Sequence, residues 1–226
     1  MGFTVLHMYV DSLFVQRPET HHPDDFAPLL AAIEQQTAIP VTLEGVYRWI
    51  AFPPARQHPR QPVPNRYFGV FSDGRIKARG IALRRHDTPP FVAQVQETLI
   101  RYLAQAEHPA LQVTAARAWV DQQLHRLWQH RVPVDDLRVA VKLQRLPTDY
   151  VRPSPAAQAA QHLAARGVTV HPGMRLTFWF TRGGVSVTPP PPEDLDLEPY
   201  ARWVQRAAAE VLDVMTSIEA SPFPSA

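Results

Sequence analysis

A single acidic residue stands between two short apolar runs near the start of the chain. The stretch reads VLHMYVDSLFV over residues 5–15, with Asp11 and Ser12 at the junction. This pattern of β-branched and aromatic residues predicts a strand, a tight turn and a second strand. A turn between strands can project a carboxylate from a rigid support, which suits metal ligation. Because turn aspartates also commonly bond their own backbone, the pattern alone leaves both roles open for Asp11.

Composition is that of a folded protein without thiol chemistry. The chain has 226 residues, of which 45% are hydrophobic and 19% charged, and none is cysteine. A formal charge of +2 and a pI of about 9.1 make it mildly basic, which is weak support for a polyanionic partner. No apolar run approaches the roughly 20 residues that span a bilayer, and the N-terminus lacks the features of a secretion signal. The sequence therefore predicts a cytoplasmic protein with no membrane partner.

The predicted elements change in character along the chain. Up to about residue 88 strands dominate, and beyond it helical spacing does. The predicted strands cover 3–15, 41–52 and a hairpin over 66–83 that turns at Ser72-Asp73-Gly74, with one helix around 24–36. The later helices are predicted over 89–106, from an N-cap at Thr114, from Ser154 to Gly167, and from Pro199, with short strands between 168 and 188. We therefore predict an α+β fold.

Five segments follow one another along the chain: GFTVLHMYVDSLFV, LEGVYRWIAF, NRYFGVFSDGRIKARGIALRRHD, VAVKLQRLPTDYVRPSPAAQAAQHLAARGVTVHPGMRLTF and EPYARWVQRAAAEVL. In this order they resemble motifs of the family B DNA polymerases. GFTVLHMYVDSLFV resembles GFxVxYxDTDSxFV, and LEGVYRWIAF resembles the palm strand with Glu-Gly-x-Tyr. NRYFGVFSDGRIKARGIALRRHD resembles the KKRY motif and the basic run that follows it. VAVKLQRLPTDYVRPSPAAQAAQHLAARGVTVHPGMRLTF and EPYARWVQRAAAEVL resemble parts of the thumb. The resemblance implies a partial palm sheet with a helix over 1–88, followed over 89–226 by a mostly helical thumb with a small β-hairpin.

The resemblance also implies catalytic roles for two carboxylates. Asp11 aligns with the second aspartate of DTDS, a metal ligand in the family, and Glu44 aligns with a palm carboxylate near the metals. Nucleotide transfer uses two divalent cations, and Mg²⁺ prefers carboxylate and phosphate oxygens. The family's first aspartate falls on Tyr9, which is not a carboxylate. The other metal aspartate and the fingers lysine belong to segments that this sequence lacks, so we expect the chain alone to be inactive and a second polypeptide to supply fingers and the remaining palm.

Contacts to primer–template DNA follow from the same resemblance. Pro64 and Asn65 replace the two KKRY lysines, whereas the arginine and tyrosine are kept. Clustered cations neutralise phosphates and give salt-sensitive, sequence-independent binding, although a solvated basic face is the alternative. We expect Asp87 to orient Arg85 through a charge-assisted bond. The predicted DNA-contacting residues are Arg66, Tyr67, Lys77, Arg79, Arg84, Arg85, Lys142, Tyr150 and Arg152.

Three functional interpretations stay open on the sequence. In the first, the chain is the small piece of a split or truncated polymerase, and Asp11 holds Mg²⁺ in a site that another polypeptide completes. In the second, it is a non-catalytic DNA-binding or assembly subunit derived from a degenerate polymerase. Tyr9 and the two replaced lysines favour this second interpretation. In the third, the chain is an excised segment of a longer enzyme.

Overall fold

A computed structural model describes residues 2–55, 63, 65–106, 108–149 and 154–219. The chain divides into two compact units, the first extending to Gly80 and the second from Ile81 to Thr216. Helices and small antiparallel sheets alternate along both, which confirms the predicted α+β class. The assignment of residues 1–88 to a palm and 89–226 to a thumb stays a prediction.

The first unit contains a hairpin, a helix and a three-stranded antiparallel sheet. Strands β1 (Thr4–Tyr9) and β2 (Ser12–Gln16) pair with each other, and helix α1 covers Ala27–Thr37. The sheet has the order β3 (Tyr47–Ala51), β4 (Tyr67–Phe71) and β5 (Ile76–Arg79). Strand β4 is buried at every position, as expected for the central strand.

The strand predicted over 41–52 begins only at Tyr47. The ring of Phe71 lies 2.8 Å from the place where a Cβ of Gly45 would stand, so the backbone there packs against an aromatic face instead of pairing as a strand. The predicted turn between β4 and β5 is confirmed. Asp73 accepts hydrogen bonds from the backbone N–H and Nε of Arg75 at 2.9 and 2.6 Å, and the backbone bond foremost lowers the pKa of this carboxyl.

The second unit combines helices with a second small sheet. Helices α2, α3, α4 and α5 cover Pro90–Ala104, Val113–Trp128, Pro155–Ala165 and Glu198–Glu219. Strands β6 (Val139–Lys142), β7 (Arg175–Thr181) and β8 (Gly184–Ser186) form an antiparallel sheet in that order. The small hairpin predicted between 168 and 188 therefore gains β6 as a third strand.

Of the N-caps predicted at Ser154 and Thr114 in this unit, the first is present and the second is not. Ser154 caps α4 by accepting a hydrogen bond from the N–H of Ala157 at 3.2 Å, as its position before Pro155 predicts. The predicted N-cap at Thr114 is wrong, because a 3₁₀ turn over Pro109–Gln112 runs directly into α3 and places Thr114 inside the helix. Within the described part of the chain, no helix has the length and apolar character needed to cross a membrane.

Candidate catalytic hairpin and nucleic-acid interface

Asp11 lies at the tip of the β1–β2 hairpin. Tyr9 pairs with Ser12, which leaves Val10 and Asp11 as a two-residue turn. Val10 has φ of 47° and is 89% exposed, an uncommon backbone conformation for a β-branched residue. The Asp11 side chain accepts a 3.4 Å hydrogen bond from the Ser12 hydroxyl and is otherwise exposed to solvent. The predicted strand–turn–strand is confirmed, with its carboxylate projecting from the turn.

Phe14 anchors this hairpin to the sheet of the first unit. Its ring centroid lies 5.0 Å from that of Tyr67, 5.5 Å from Phe52, 5.9 Å from His7 and 6.3 Å from Tyr47. Such edge-on and tilted aromatic pairs add stabilisation beyond the apolar area that they bury. Burial of this cluster also raises the pKa of the Tyr47 hydroxyl. The position of Asp11 therefore depends on aromatic packing three residues away along β2.

The opposite face of the hairpin is apolar and exposed. Met8 pairs with Leu13 across the strands, and these side chains are 71% and 45% exposed. Leu6 and Val5 beside them are 46% and 57% exposed. Among the described residues β1 and β2 form a sheet of only two strands, so both outer edges lack a strand partner there. We call Val5, Leu6, Met8 and Leu13 the outer hairpin face.

Phe14→Ala is expected to loosen the hairpin. Truncating a well-packed phenylalanine typically costs about 3–5 kcal/mol, and the half-buried Phe14 should fall at the lower end of that range. Hydrogen exchange measured by mass spectrometry on peptides spanning residues 3–16 should become markedly faster. The matched control is Leu13→Ala on the exposed face, which should leave the exchange nearly unchanged. Equal acceleration in both variants would contradict the anchoring role.

Two predicted site residues of opposite charge bind each other. The Glu44 carboxylate forms an ion pair with the Lys77 ammonium, whose nitrogen also lies 6.0 Å from the Tyr67 ring centroid. The Lys77 side chain is 21% exposed and the Glu44 side chain 56%. The charges of Glu44 and Lys77 therefore offset each other, which weakens what either residue alone offers to a metal or a phosphate.

The donor set of the described residues falls short of a complete Mg²⁺ site. Across the described residues, no group of three or more histidine, aspartate or glutamate side chains is placed to hold a metal ion. At the hairpin tip, Asp11 stands next to Val10 and near Tyr9, and neither of these is a carboxylate. Mg²⁺ is normally held by one or two carboxylates together with substrate phosphates. Asp11 can supply one such ligand, and its neighbours Tyr9 and Val10 at the hairpin tip supply no second carboxylate.

The predicted DNA-contacting residues of the first unit differ in exposure. Tyr67 is 5% exposed and belongs to the aromatic cluster around Phe14, so the structure places it in the core. Arg66 is half-buried and donates to the Pro54 carbonyl at 3.2 Å. Arg79, which pairs with Tyr67 at the end of β5, is exposed. Of these three, Arg79 is the residue best placed to meet a phosphate.

In the second unit, Arg84 and Arg85 are exposed at the end of a 3₁₀ turn over Ala82–Arg84. Arg85 donates to Glu210 at 3.0 Å instead of to Asp87, so the predicted orienting residue is wrong: the turn directs Arg85 toward α5. Lys142 is exposed at the end of β6. Tyr150 and Arg152 lie outside the described residues.

Sequence reasoning missed two buried polar residues beside this turn, Gln96 on α2 and Glu210 on α5. Gln96 is 0% and Glu210 8% exposed. Gln96 lies at helical spacing from the buried residues Val92 and Leu99, and Glu210 lies at helical spacing from the buried Ala207. A polar residue inside an apolar stripe is a signal that could have identified both.

Comparisons with known proteins agree with this architecture. No family model matches the chain. It is 25% identical over 220 residues to DNA polymerase 2 of Aeropyrum pernix, covering 94% of this chain and 25% of that protein. It is 21% identical over 220 residues to DNA polymerase 1 of Sulfolobus acidocaldarius, covering 94% of this chain and 24% of that protein. The chain thus spans about a quarter of the length of these curated relatives.

A solved structure supports the same relationship at the level of fold. The family B DNA polymerase of the hyperthermophilic archaeon Pyrobaculum calidifontis matches with a TM-score of 0.67 and 22% identity. The match covers 95% of this chain and 27% of that one. Along nearly its whole length the chain is therefore similar in sequence to these DNA polymerases, and its fold matches about a quarter of a family B DNA polymerase.

Proposed function

We propose that this chain is the palm and thumb piece of a family B-like DNA-directed DNA polymerase whose active site is completed by another polypeptide. The observation that carries the proposal is the extent of the matches, which cover 94% of this chain but only 25% of the first relative. The fingers and the remaining palm of such an enzyme lie outside the matched quarter, and in this proposal another polypeptide carries them. The isolated chain is expected to be inactive, since one or two carboxylates cannot hold two metals against a triphosphate.

In the assembled site, Asp11 would hold Mg²⁺ and Glu44 would support it. Bound divalent cations activate the primer hydroxyl and stabilise the leaving pyrophosphate. The contribution of this chain is positional, because the hairpin presents the Asp11 carboxylate on a turn that Phe14 packs against the sheet. Fixing a ligand on a rigid element in this way is what a precise metal site requires.

The outer hairpin face supports the proposal of a second polypeptide. Val5, Leu6, Met8 and Leu13 are 45–71% exposed and lie together on a two-stranded sheet. Contiguous exposed apolar surface and strand edges without pairing partners commonly mark interaction sites. Further palm strands, carried by the partner, are the natural cover for such a face.

Binding of primer–template duplex is proposed through the exposed cations Arg79, Arg84, Arg85 and Lys142. A polymerase must accept any sequence, so contacts to phosphates instead of base edges are expected. Lys77 is paired with Glu44, which offsets its charge, so we expect it to contribute less than these four cations.

Salt dependence tests the DNA-binding part of the proposal. The affinity of the purified chain for a fluorescently labelled primer–template duplex is measured by anisotropy between about 50 and 200 mM salt. Arg79→Ala should weaken binding. It should also make the negative slope of log K against log salt shallower by about 0.9, as expected for one lost phosphate contact. The matched control is Arg101→Ala, an exposed arginine that pairs with Glu97 on α2 at 2.7 Å and should leave the slope unchanged. Equal affinities and equal salt slopes for the two variants would contradict the assignment of Arg79 as a phosphate contact.

A non-catalytic DNA-binding or assembly subunit is the second candidate. Tyr9 in place of a carboxylate and the lack of a metal-holding cluster among the described residues favour it. This candidate shares the DNA contacts but makes Asp11 dispensable. An excised segment of a longer polymerase would have the same residues in the same roles, with the rest of the palm on its own chain.

A further inference from the structure

A buried carboxylate on α5 connects three segments of the second unit. The Glu210 side chain is 4% exposed. Its Oε2 accepts hydrogen bonds from the backbone N–H of Ala82 at 2.9 Å and from the amide of Gln96 at 3.1 Å, while Oε1 accepts from Arg85 at 3.0 Å. Hydrogen bonds to an ionised carboxylate are about twice as strong as neutral ones. Glu210 is therefore held in one place, and it holds the groups around it.

Gln96 completes the network from α2. Its Oε1 accepts from the backbone N–H of Leu83 at 2.6 Å, and its amide nitrogen donates to the Ala207 carbonyl at 2.8 Å. Two successive backbone N–H groups of the turn are thus bound by side chains from two different helices. The segment that presents Arg84 and Arg85 is consequently fixed to the helices at its start.

Arg85 is bound on one side and exposed on the other. Its side chain is 52% exposed although its partner is almost fully buried. Glu210 accepts from one terminal nitrogen, and a guanidinium carries five N–H donors in a planar fork. An arginine side chain loses rotamer entropy when a ligand orders it, and a bond of this kind removes part of that freedom before any ligand binds.

We propose that Glu210 is a positioning residue that holds the Arg85 guanidinium ready to contact a phosphate of duplex DNA. This inference rests on the proposed function, because it takes DNA as the ligand of Arg85. The Glu210 carboxylate also offsets part of the positive charge of Arg85. If charge alone mattered, removing that carboxylate would tighten DNA binding, whereas loss of positioning weakens it. The two effects therefore predict opposite signs.

The decisive variant is Glu210→Asp, which keeps the charge but withdraws the carboxylate by one methylene group. Duplex affinity of the full chain is measured by anisotropy for the wild type, Glu210→Asp, Glu210→Gln and Arg85→Ala. We expect both Glu210 variants to weaken binding by about threefold to tenfold. In an Arg85→Ala background, Glu210→Asp should have no further effect, because the two residues act as a unit.

Several results would overturn the inference. If Arg85→Ala weakens binding while Glu210→Asp leaves it unchanged, or if Glu210→Gln tightens it, Glu210 does not position Arg85. If Glu210→Asp reduces duplex affinity in the Arg85→Ala background as much as in the wild type, Glu210 acts through the fold and not through Arg85. Failure of the wild type to bind duplex would overturn the proposed DNA binding and this inference with it. Duplex binding that is indifferent to Arg85→Ala would overturn this inference and leave the other proposed DNA contacts standing.

A measurement on the wild type does not depend on the folding of any variant. The ¹⁵N relaxation of the arginine Nε groups in the DNA-free chain reports how ordered each guanidinium is on the ps–ns timescale. The Nε of Arg85 should be clearly more rigid than that of Arg101, whose partner Glu97 is itself 42% exposed. Equal mobility of the two arginines would contradict positioning by Glu210.

Discussion

Gly80→Ala should lower the free energy of unfolding of the first unit by about 3 kcal/mol or more. Gly80 has φ of +65°, a conformation that costs an L-residue about 1–2 kcal/mol. A Cβ there would also lie 2.5 Å from the Asn65 carbonyl oxygen and 3.1 Å from the Arg66 Cα. These are backbone atoms, so the clash cannot be relieved by a change of rotamer.

Gly74→Ala provides the matched control. Gly74 has φ of +85° at the β4–β5 turn, but nothing lies within 4 Å of the place where its Cβ would stand. The substitution therefore imposes backbone strain without a clash, and we expect a loss of about 1 kcal/mol. Urea unfolding of the three proteins measures both losses. Equal losses would show that the close approach of Gly80 to residues 65 and 66 contributes nothing.

Features encoded locally were predictable from the sequence. The turn at Ser72-Asp73-Gly74, the Ser154 cap and the hairpin around Asp11 depend on residues adjacent in the chain, and all three are present. The addition of β6 to the second sheet pairs Val139 with Phe178, and the spacing of residues within either strand carries no information about that partner. The N-cap predicted at Thr114 is wrong because a 3₁₀ turn continues directly into α3 and places this residue inside the helix.

The candidate site was predictable in part for the same reason. Asp11 lies in a local motif, whereas the pairs Glu44–Lys77 and Arg85–Glu210 join residues 33 and 125 positions apart. Tyr67 belongs to the run YFGVF, and a continuous apolar run of this kind indicates a strand buried on both faces. That signal favoured a core role for Tyr67 over the DNA contact implied by the resemblance.

Asp11→Asn should abolish primer extension by the assembled complex while DNA affinity stays nearly intact. Asparagine preserves the shape of the side chain but removes the charge that a Mg²⁺ ligand requires. We expect the extension rate to fall by at least about 100-fold, which is the size of effect seen when a preorganised electrostatic group is removed from an active site. Affinity should be spared because Asp11 stands on an exposed turn and the proposed phosphate contacts lie elsewhere. The control is Asp73→Asn, another exposed aspartate on a hairpin turn, which should retain extension.

The most direct test of whether this chain completes a polymerase site is primer extension with Mg²⁺. The enzyme used is the complex that copurifies with the tagged chain from its native cells. We predict extension by the wild-type complex and by the Asp73→Asn complex, and none by the Asp11→Asn complex. A complex that binds DNA without extending it, or extension that is indifferent to Asp11→Asn, would contradict the catalytic role. Tyr9 would then mark an abandoned metal site, and the non-catalytic subunit would be the correct interpretation.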